Sequence, residues 1–199
     1  MENAVAARGR PREFDVVVAL AAALRVFWEK GYEGASLTDL TEAMGITRPS
    51  LYAAFGNKEE LFKRALNLYE SEKLAYVRNA LDAPTARGVA ERLLYGTITN
   101  VTSECPGCLG VIASVSCRSP NSPIQKDVRA LTQTTRAAMV DRMQRAIDEG
   151  DFTVAVQAEA MTQYLMAVLQ GLSVQASAGA SREQLQQVAD ATLAVWPGR

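Results

Sequence analysis

The 199-residue chain contains no histidine, and this absence excludes a large part of enzyme chemistry. Without an imidazole there is no Ser-His or Cys-His catalytic pair and no histidine-ligated metal site. The chain also lacks a glycine-rich phosphate loop and paired carboxylates in an apolar setting, so we expect no enzyme. No stretch approaches the roughly 20 apolar residues that cross a bilayer, and no apolar segment of a signal peptide follows the basic N-terminus. We therefore expect a soluble protein of the cytoplasm with no membrane partner.

Neither sign of charge predominates, since 21 Lys and Arg face 22 Asp and Glu. The placement of the basic residues is more informative than their number, because Arg8, Arg10 and Arg12 fall within five residues and alternate with glycine and proline. A mobile arm of this kind can lie along phosphates or enter a minor groove. A solvated tail with no partner is the alternative. We predict a flexible basic arm over residues 1–12, with Arg10 and Arg12 as candidate DNA contacts.

Apolar residues follow a helical period through nearly the whole chain, and no segment alternates as a strand does. In residues 13–69, capping residues predict helices that begin after Asp15, Ser36, Thr47 and Asn57. These elements describe a three-helix head and a long connecting helix over about residues 57–80. Later helices are predicted near residues 86–103, 108–117, 124–150, 153–178 and 183–195. The predicted fold is all-α with about nine helices.

Residues 36–55 are the most informative segment, because two short helices there are separated by a turn that contains Gly45. This arrangement is a helix-turn-helix, whose second helix can enter the major groove of DNA. Thr47, Arg48 and Ser50 begin that second helix, where side chains meet bases or phosphates. A plain helical hairpin with solvated polar residues is the alternative, and the periodicity by itself does not separate the two.

Several segments resemble the N-terminal domain of TetR/AcrR-type transcriptional regulators. They are Gly9–Arg12, Phe27–Tyr32, Ser36–Leu40 and, most extensively, Met44–Phe62, which reads MGITRPSLYAAFGNKEELF. The resemblance covers residues 9–69 almost continuously, whereas residues 70–199 resemble the family only in length and helical character. It implies a DNA-binding head over residues 13–69 and a ligand-binding and dimerisation domain over residues 70–199.

The resemblance also implies a function. It implies a homodimer whose two recognition helices enter successive major grooves of a palindromic operator on double-stranded DNA, and a repressor released by a small molecule. Carried over by position, the candidate DNA contacts are Thr38, Thr47, Arg48, Pro49, Ser50, Tyr52 and Lys58. The last two helices, within about residues 153–195, would form the dimer contact, as they do in this family.

The C-terminal helices are rich in leucine, valine, alanine and methionine, and most of these residues are expected to form ordinary core. Part of the set can line a cavity, because methionine and tyrosine adapt to apolar ligands. The candidate contacts to a small apolar effector are Tyr95, Thr99, Met139, Met143 and Tyr164. We expect no cofactor.

Three cysteines, Cys105, Cys108 and Cys117, are too few for zinc in a chain without histidine, so we expect no metal site. Within one helix, Cys108 and Cys117 would lie about 13.5 Å apart along its axis, too far for a disulfide. Cys105 and Cys108 flank a Pro-Gly turn and could bridge. A helix N-terminus near Cys108 would favour its reactive thiolate, so Cys105 and Cys108 are redox candidates. Buried cysteines that act only as small apolar residues are the alternative.

Overall fold

The structure is a computed structural model that describes residues 14–103, 107–116 and 123–199. Ten α-helices occupy these ranges, and the predicted all-α class is confirmed. The first four helices are α1 (Val16–Gly34), α2 (Leu37–Met44), α3 (Arg48–Phe55) and α4 (Lys58–Lys73). The other six are α5 (Ala75–Leu81), α6 (Ala86–Val101), α7 (Leu109–Ser116), α8 (Pro123–Asp148), α9 (Ala158–Ser177) and α10 (Arg182–Ala194). The predicted arm over residues 1–12, with Arg10 and Arg12, lies outside the described residues.

The four predicted N-caps of the head are confirmed, because each capping side chain accepts a backbone N–H of the first turn. Below them, aromatic rings hold the helices together. Phe27 of α1 meets Phe62 of α4 edge-on, with ring centroids 5.0 Å apart. Trp28 meets Tyr69 in the same way at 4.9 Å. Such edge-to-face pairs fix the angle between α1 and α4 as well as burying apolar area.

The connecting helix predicted over residues 57–80 is interrupted at Leu74, which separates α4 from α5. The N–H of Leu74 reaches back five residues to the carbonyl of Tyr69, which is the bond of a helix end. Beyond the break, α5 lies against α6 because the ring of Tyr76 sits where a Cβ at Gly96 would stand. The periodic pattern of the sequence does not reveal this break, since propensity is a weak guide where tertiary contacts intervene.

The helix predicted over residues 153–178 begins later, at Ala158. The preceding residues are extended and pair with the C-terminal tail, where Phe152 bridges Gly198 and the N–H of Thr153 donates to the carbonyl of Pro197 at 2.9 Å. Trp196 is buried beside Phe152. The tail therefore supplies the backbone bonds that a first helical turn would otherwise make.

The core of the head continues into the body. Leu109, Ile124 and Val128, from α7 and the start of α8, belong to the same buried apolar cluster as α1 to α4. The indole N–H of Trp28 donates to the carbonyl of Gly107 at 3.1 Å, which ties α1 to the turn before α7. The first residues of α7 and α8 therefore share a hydrophobic core with the head.

Arg142 is a buried charged residue of α8 that the sequence patterns do not reveal. It is only 5% exposed, and its guanidinium donates to the carbonyls of Leu81 at 3.1 Å and Ala83 at 2.7 Å. Burial lowers the pKa of the guanidinium. Arg142 thus satisfies two carbonyls at the end of α5 and in the turn that follows.

Arg142→Met is expected to lower the free energy of unfolding by about 1–3 kcal/mol, because two carbonyls lose their donors. Urea unfolding followed by circular dichroism measures the difference. Arg145→Met, one turn later, removes only an exposed ion pair with Glu149 and is expected to change stability by less than about 0.5 kcal/mol. Equal stability of Arg142→Met and the wild type would mean that relief of the buried charge outweighs the lost bonds.

Candidate DNA-binding surface and internal cavity

The helix-turn-helix is formed by α2, α3 and the turn between them. Ser36 and Asp39 cap α2 reciprocally, and α2 ends at Gly45, whose φ of 64° and ψ of 32° are left-handed. Thr47 then caps α3, its hydroxyl accepting the N–H of Ser50 at 3.3 Å. Buried Leu40 and Leu51 lock the two helices together from below. These local interactions leave the first turn of α3 at the surface.

Most of the predicted DNA-contact residues of α2 and α3 are exposed to solvent on this surface. Thr38, Thr47, Arg48, Pro49 and Tyr52 are exposed, and Ser50 is half-buried. The guanidinium of Arg48 donates to the hydroxyl of Thr38 at 2.8 Å, so residues from the two helices meet at one place. The hydroxyls of Thr47 and Ser50 are 2.9 Å apart and hydrogen-bonded to each other, and either one can be the donor. Tyr52 follows Arg48 by one turn and stands on the same face of α3.

Lys58 reaches the surface from the first turn of α4. Its ammonium nitrogen lies 4.5 Å from the ring centroid of Tyr32 in α1, a cation–π contact. Partial burial lowers the pKa of the ammonium. The N-terminus of α4, capped by Asn57, adds unpaired N–H groups beside this charge. This end of α4 is therefore suited to a phosphate.

Two basic residues that the sequence analysis did not single out hold the surface in place. The ammonium of Lys30 in α1 bonds the carboxylate of Asp39 at 2.6 Å, which ties α1 to the start of α2. This bond and those from Ser36 hold the pKa of Asp39 well below its usual range. Arg64 of α4 donates to the carbonyl of Ala54 at 3.3 Å and so ties α4 to the end of α3. Both contacts join residues from different helices, which periodicity does not predict.

Gly45→Ala is expected to lower the free energy of unfolding by about 1–2 kcal/mol, because a left-handed backbone strains any residue with a Cβ. Apart from Gly45 itself and its two neighbours in the chain, no atom of the described residues lies within 4 Å of the position a Cβ would take, so the variant tests backbone strain without a steric clash. Chemical unfolding measures the effect. Gly34→Ala is the control, since its Cβ would meet only Lys30 Cβ at 3.6 Å without a left-handed backbone. A Gly45→Ala variant as stable as this control would contradict the strain argument.

A cavity of about 350 Å³ lies in the body, between α4, α5, α6, α7, α8 and α9. This volume is within the range of small-molecule sites in proteins. Much of its wall is aliphatic or thioether: Leu74, Val77, Val101, Val111, Val128, Leu131, Met139, Met166 and Leu169. Because Tyr69 and Leu74 also line it, an occupant would touch α4 and the break that follows α4.

Cys108 stands in this cavity wall and is half-buried. The hydroxyl of Tyr69 donates to its sulfur at 3.2 Å, and the side-chain amide of Asn100 donates to the same hydroxyl at 3.2 Å. Burial, and then the neighbouring Cys108, raise the pKa of Tyr69. The chain Asn100–Tyr69–Cys108 therefore links α6, α4 and the start of α7. Cys105, the other redox candidate, lies outside the described residues.

Comparisons with known proteins place the chain among transcriptional regulators. The family model described as bacterial regulatory proteins, tetR family, matches residues 19–65. The HTH-type transcriptional repressor ComR of Escherichia coli K12 is 35% identical over 96% of this chain and 92% of ComR. The chain belongs to the TetR family. The predicted family is confirmed, and with it the class of DNA-binding transcriptional regulator.

A solved structure agrees with this TetR-family membership over nearly the whole chain. The TetR-family regulator CifR, as a cysteine mutant complexed with 26-bp double-strand operator DNA, is 43% identical with a TM-score of 0.82. The match covers 95% of this chain and all of the CifR chain. The E. coli K12 repressor BdcR is 30% identical over 89% of this chain and 86% of BdcR. The similarity thus extends beyond the head to the body.

One of the five residues predicted to contact an effector lines the cavity of this TetR-family protein. Met139 lines it, whereas Met143 is fully buried in the core one turn later. Tyr164 points away from it, 41% exposed and with its ring centroid 6.5 Å from that of Trp196. The same helices that line the cavity therefore carry these residues on other faces.

Tyr95 and Thr99 of α6 also lie outside the cavity wall. Tyr95 donates to the carboxylate of Asp190, and Thr99 accepts from the guanidinium of Arg182 at 3.2 Å. Both partners belong to α10, so this face of α6 packs on the end of the chain. The neighbouring face supplies Thr97, Asn100 and Val101 to the cavity. Helical period predicts that two faces exist but not which of them meets the empty space.

None of the helices in the described ranges is both long enough and apolar enough to cross a membrane.

Proposed function

We propose that this TetR-family regulator is a repressor that binds a palindromic operator as a homodimer and leaves it when a small molecule fills the cavity. The observation that carries the proposal is the sharing of α4 between the two sites. Its N-terminal end, at Lys58, belongs to the candidate DNA surface, and its C-terminal end, at Tyr69, lines the cavity. A molecule that displaces Tyr69 therefore acts on the helix that supports the recognition helix α3.

The exposed side chains of the head support DNA binding in this mode. Arg48, with Thr47 and Ser50, stands at the N-terminus of α3, where a recognition helix meets base edges. Tyr52 and Lys58 flank it and suit phosphates. The relatives ComR and BdcR are named repressors, and CifR is known in complex with operator DNA.

The outer face of α9 supports a homodimer. Small and apolar residues recur there every three to four positions and are exposed or half-exposed: Ala160, Tyr164, Ala167, Gly171, Val174 and Ala178. Small side chains allow a second helix to approach closely, and large apolar ones provide area to bury. At the end of α10, Ala191, Ala194 and the C-capping Val195 are exposed in the same way, and Val195 is 72% exposed. Two copies joined through α9 and α10 would form a four-helix interface.

Release would follow from a change in the distance between the two heads. Occupation of the cavity shifts α6, tilts α4 about the break at Leu74 and moves the recognition helix. A dimer must meet two half-sites about 34 Å apart, so a change in this distance weakens binding without altering either head.

Fluorescence anisotropy tests the DNA-binding part of the proposal. The purified protein is titrated into DNA from immediately upstream of its own gene, beside a shuffled duplex of equal composition. Tight binding to the first duplex alone is the expected result. Equal weak binding to both, at low salt as well as at physiological salt, would contradict an operator at that place.

Thermal unfolding tests the effector part. A collection of small apolar molecules is screened for those that raise the melting temperature, since a ligand that binds only the folded state stabilises it. Molecules that do so are then expected to lower the anisotropy of the protein–operator complex. If no molecule shifts the melting temperature, the second candidate function below is favoured.

The second candidate is a regulator that responds only to cysteine oxidation, with no organic ligand. The bond from Tyr69 to the Cys108 sulfur favours it, because a change at that sulfur acts directly on α4. Hydrogen peroxide would convert the thiol to a sulfenic acid, one oxygen passing to sulfur as the peroxide is reduced to water. A thiol at Cys105 could then condense with it, forming a disulfide and releasing a second water.

Cysteine variants separate the two candidates. Peroxide is expected to release the wild type from the operator and to leave the Cys108→Ser variant bound, with Cys117→Ser as the matched control. Unchanged peroxide sensitivity in the double variant Cys105→Ser/Cys108→Ser would eliminate the oxidation mechanism.

A further inference from the structure

The deep polar groups of the cavity are already paired with one another. The hydroxyl oxygens of Tyr76 and Thr97 are 3.0 Å apart and hydrogen-bonded, and Asn100 binds the hydroxyl of Tyr69. Burial raises the pKa of Tyr76 to about 12, so its hydroxyl stays neutral. Since these groups satisfy one another, the inner wall offers an occupant a largely apolar surface.

The outer wall is different, because three polar side chains there have no such pairing. They are Arg129 and Gln133 of α8 and Gln170 of α9, all exposed at the cavity. Arg129 and Gln133 are four residues apart and therefore neighbours on one face of the helix. Within the described ranges, no hydrogen bond or ion pair joins any of the three to another protein group.

The formal charge of the described cavity wall is positive. Arg129 is the only side chain of the described lining that carries a formal charge, and this lining includes no carboxylate. The nearest acidic residue along α8, Asp127, lies on another side of the helix, where its carboxylate is 3.5 Å from the ammonium of Lys63. An anion at Arg129 would therefore meet a guanidinium with no competing carboxylate in the wall.

From this arrangement we infer that the cavity takes an amphipathic anion, an apolar body with a single anionic group. The body lies against Val77, Val101, Met139 and Leu169, and the anionic group is bound by Arg129 with the amides of Gln133 and Gln170. This inference rests on the proposed function, since it names the class of molecule that would act as effector. The sequence analysis predicts a small apolar effector, and this inference restricts that class to molecules that also carry one anionic group.

The physical reason is the cost of covering a charge. An apolar molecule that fills the cavity removes water from the inner side of Arg129, and a neutral hydroxyl returns at most an uncharged acceptor to the guanidinium. A carboxylate supplies charge-assisted bonds in its place, which are stronger than bonds between neutral groups. Cationic amphiphiles would face repulsion at the same point.

Two probes of equal chain length test the inference on the full-length protein. Isothermal titration calorimetry compares decanoate with decanol, both below the concentrations at which they aggregate. Wild-type protein is expected to bind decanoate about tenfold more tightly than decanol, the effect of one charge-assisted contact. Arg129→Gln is expected to remove this preference, and Arg129→Lys to keep part of it. Arg136→Gln, an exposed arginine of α8 outside the lining, is the matched control and keeps the preference.

Equal affinities for the two probes in the wild type, or a preference that survives in Arg129→Gln, would overturn the inference, as would no binding of either probe. Anisotropy of the operator complex, measured with the same probes, separates this failure from that of the proposed function. Release by decanol and decanoate alike rejects the anionic class and keeps the effector role. Preferential, Arg129-dependent binding of decanoate without release supports the ligand class and rejects release through this cavity.

Discussion

Replacing Arg48 by alanine is expected to weaken operator binding by at least about thirtyfold, the largest effect of any single change in the head. One arginine contact to a base edge contributes about 1–3 kcal/mol, and a homodimer loses it at both half-sites. Arg48 is also held in position before DNA arrives, because its guanidinium is bonded to Thr38 at 2.8 Å. An ordered side chain loses less conformational entropy on binding.

Anisotropy titrations with the operator and a shuffled duplex measure this loss and its sequence dependence. Arg48→Ala is expected to reduce discrimination between the two duplexes, whereas Tyr52→Phe, which removes a phosphate donor, weakens binding to both alike. Thr38→Val tests the positioning of Arg48 and should give a smaller loss than Arg48→Ala. Arg136→Ala in the body is the control for loss of one positive charge. An Arg48→Ala protein with wild-type affinity and melting temperature would show that α3 reads DNA by other residues.

Trp28→Ala is expected to lower the free energy of unfolding by about 3–5 kcal/mol, a large share of the stability of a domain this size. Trp28 is 3% exposed and packs edge-on against Tyr69. Its indole N–H also joins the head to the turn before α7 through the carbonyl of Gly107. The variant therefore opens a cavity in the head and breaks a bond between the head and the body.

Trp28→Phe separates these two contributions. Phenylalanine keeps an aromatic ring beside Tyr69 but cannot donate to Gly107, so a loss of about 1–3 kcal/mol is expected from the unpaired carbonyl and the smaller ring. Urea unfolding of both variants gives the values, with Val18→Ala, at a 65%-exposed position of α1, as the control. A Trp28→Phe variant as stable as the wild type would remove the Gly107 bond from the account of how head and body are joined.

The parts of this protein that follow from sequence are those fixed by neighbours in the chain. Asp15, Ser36, Thr47 and Asn57 cap their helices where the pattern predicts, because a cap bonds residues only two or three positions away. The left-handed conformation of Gly45 at the end of α2 likewise depends on residues that are close in the chain. The spacing of these signals, together with the family resemblance, was enough to identify the helix-turn-helix.

The cavity depends on contacts between distant residues, and there local reasoning fails. The connecting helix is interrupted at Leu74, and just beyond the break the ring of Tyr76 packs against Gly96, twenty residues later in the chain. Tyr95 and Thr99 were expected in the cavity but face α10, since Asp190 and Arg182 hold them there. Met139 does line the cavity, since its face of α8 adjoins the empty space, and its contact with an effector stays a prediction.

In the proposed mechanism, the interruption at Leu74 allows α4 to amplify a small displacement at the cavity into a larger one at the DNA-binding surface. Its 16 residues span about 24 Å, with the cavity at one end and the recognition helix at the other, so the proposed release would make α4 an arm that turns near the cavity. A rotation of about 5° at the pivot therefore displaces that end by about 2 Å, and the twofold symmetry of a dimer doubles the change in span to about 4 Å. Tyr69 lies five residues, or about 7.5 Å, from this pivot, so the same rotation corresponds to a displacement of only about 0.7 Å there. The size of an effector would then matter less than its point of contact, so small molecules of quite different shape could give the same response at the DNA.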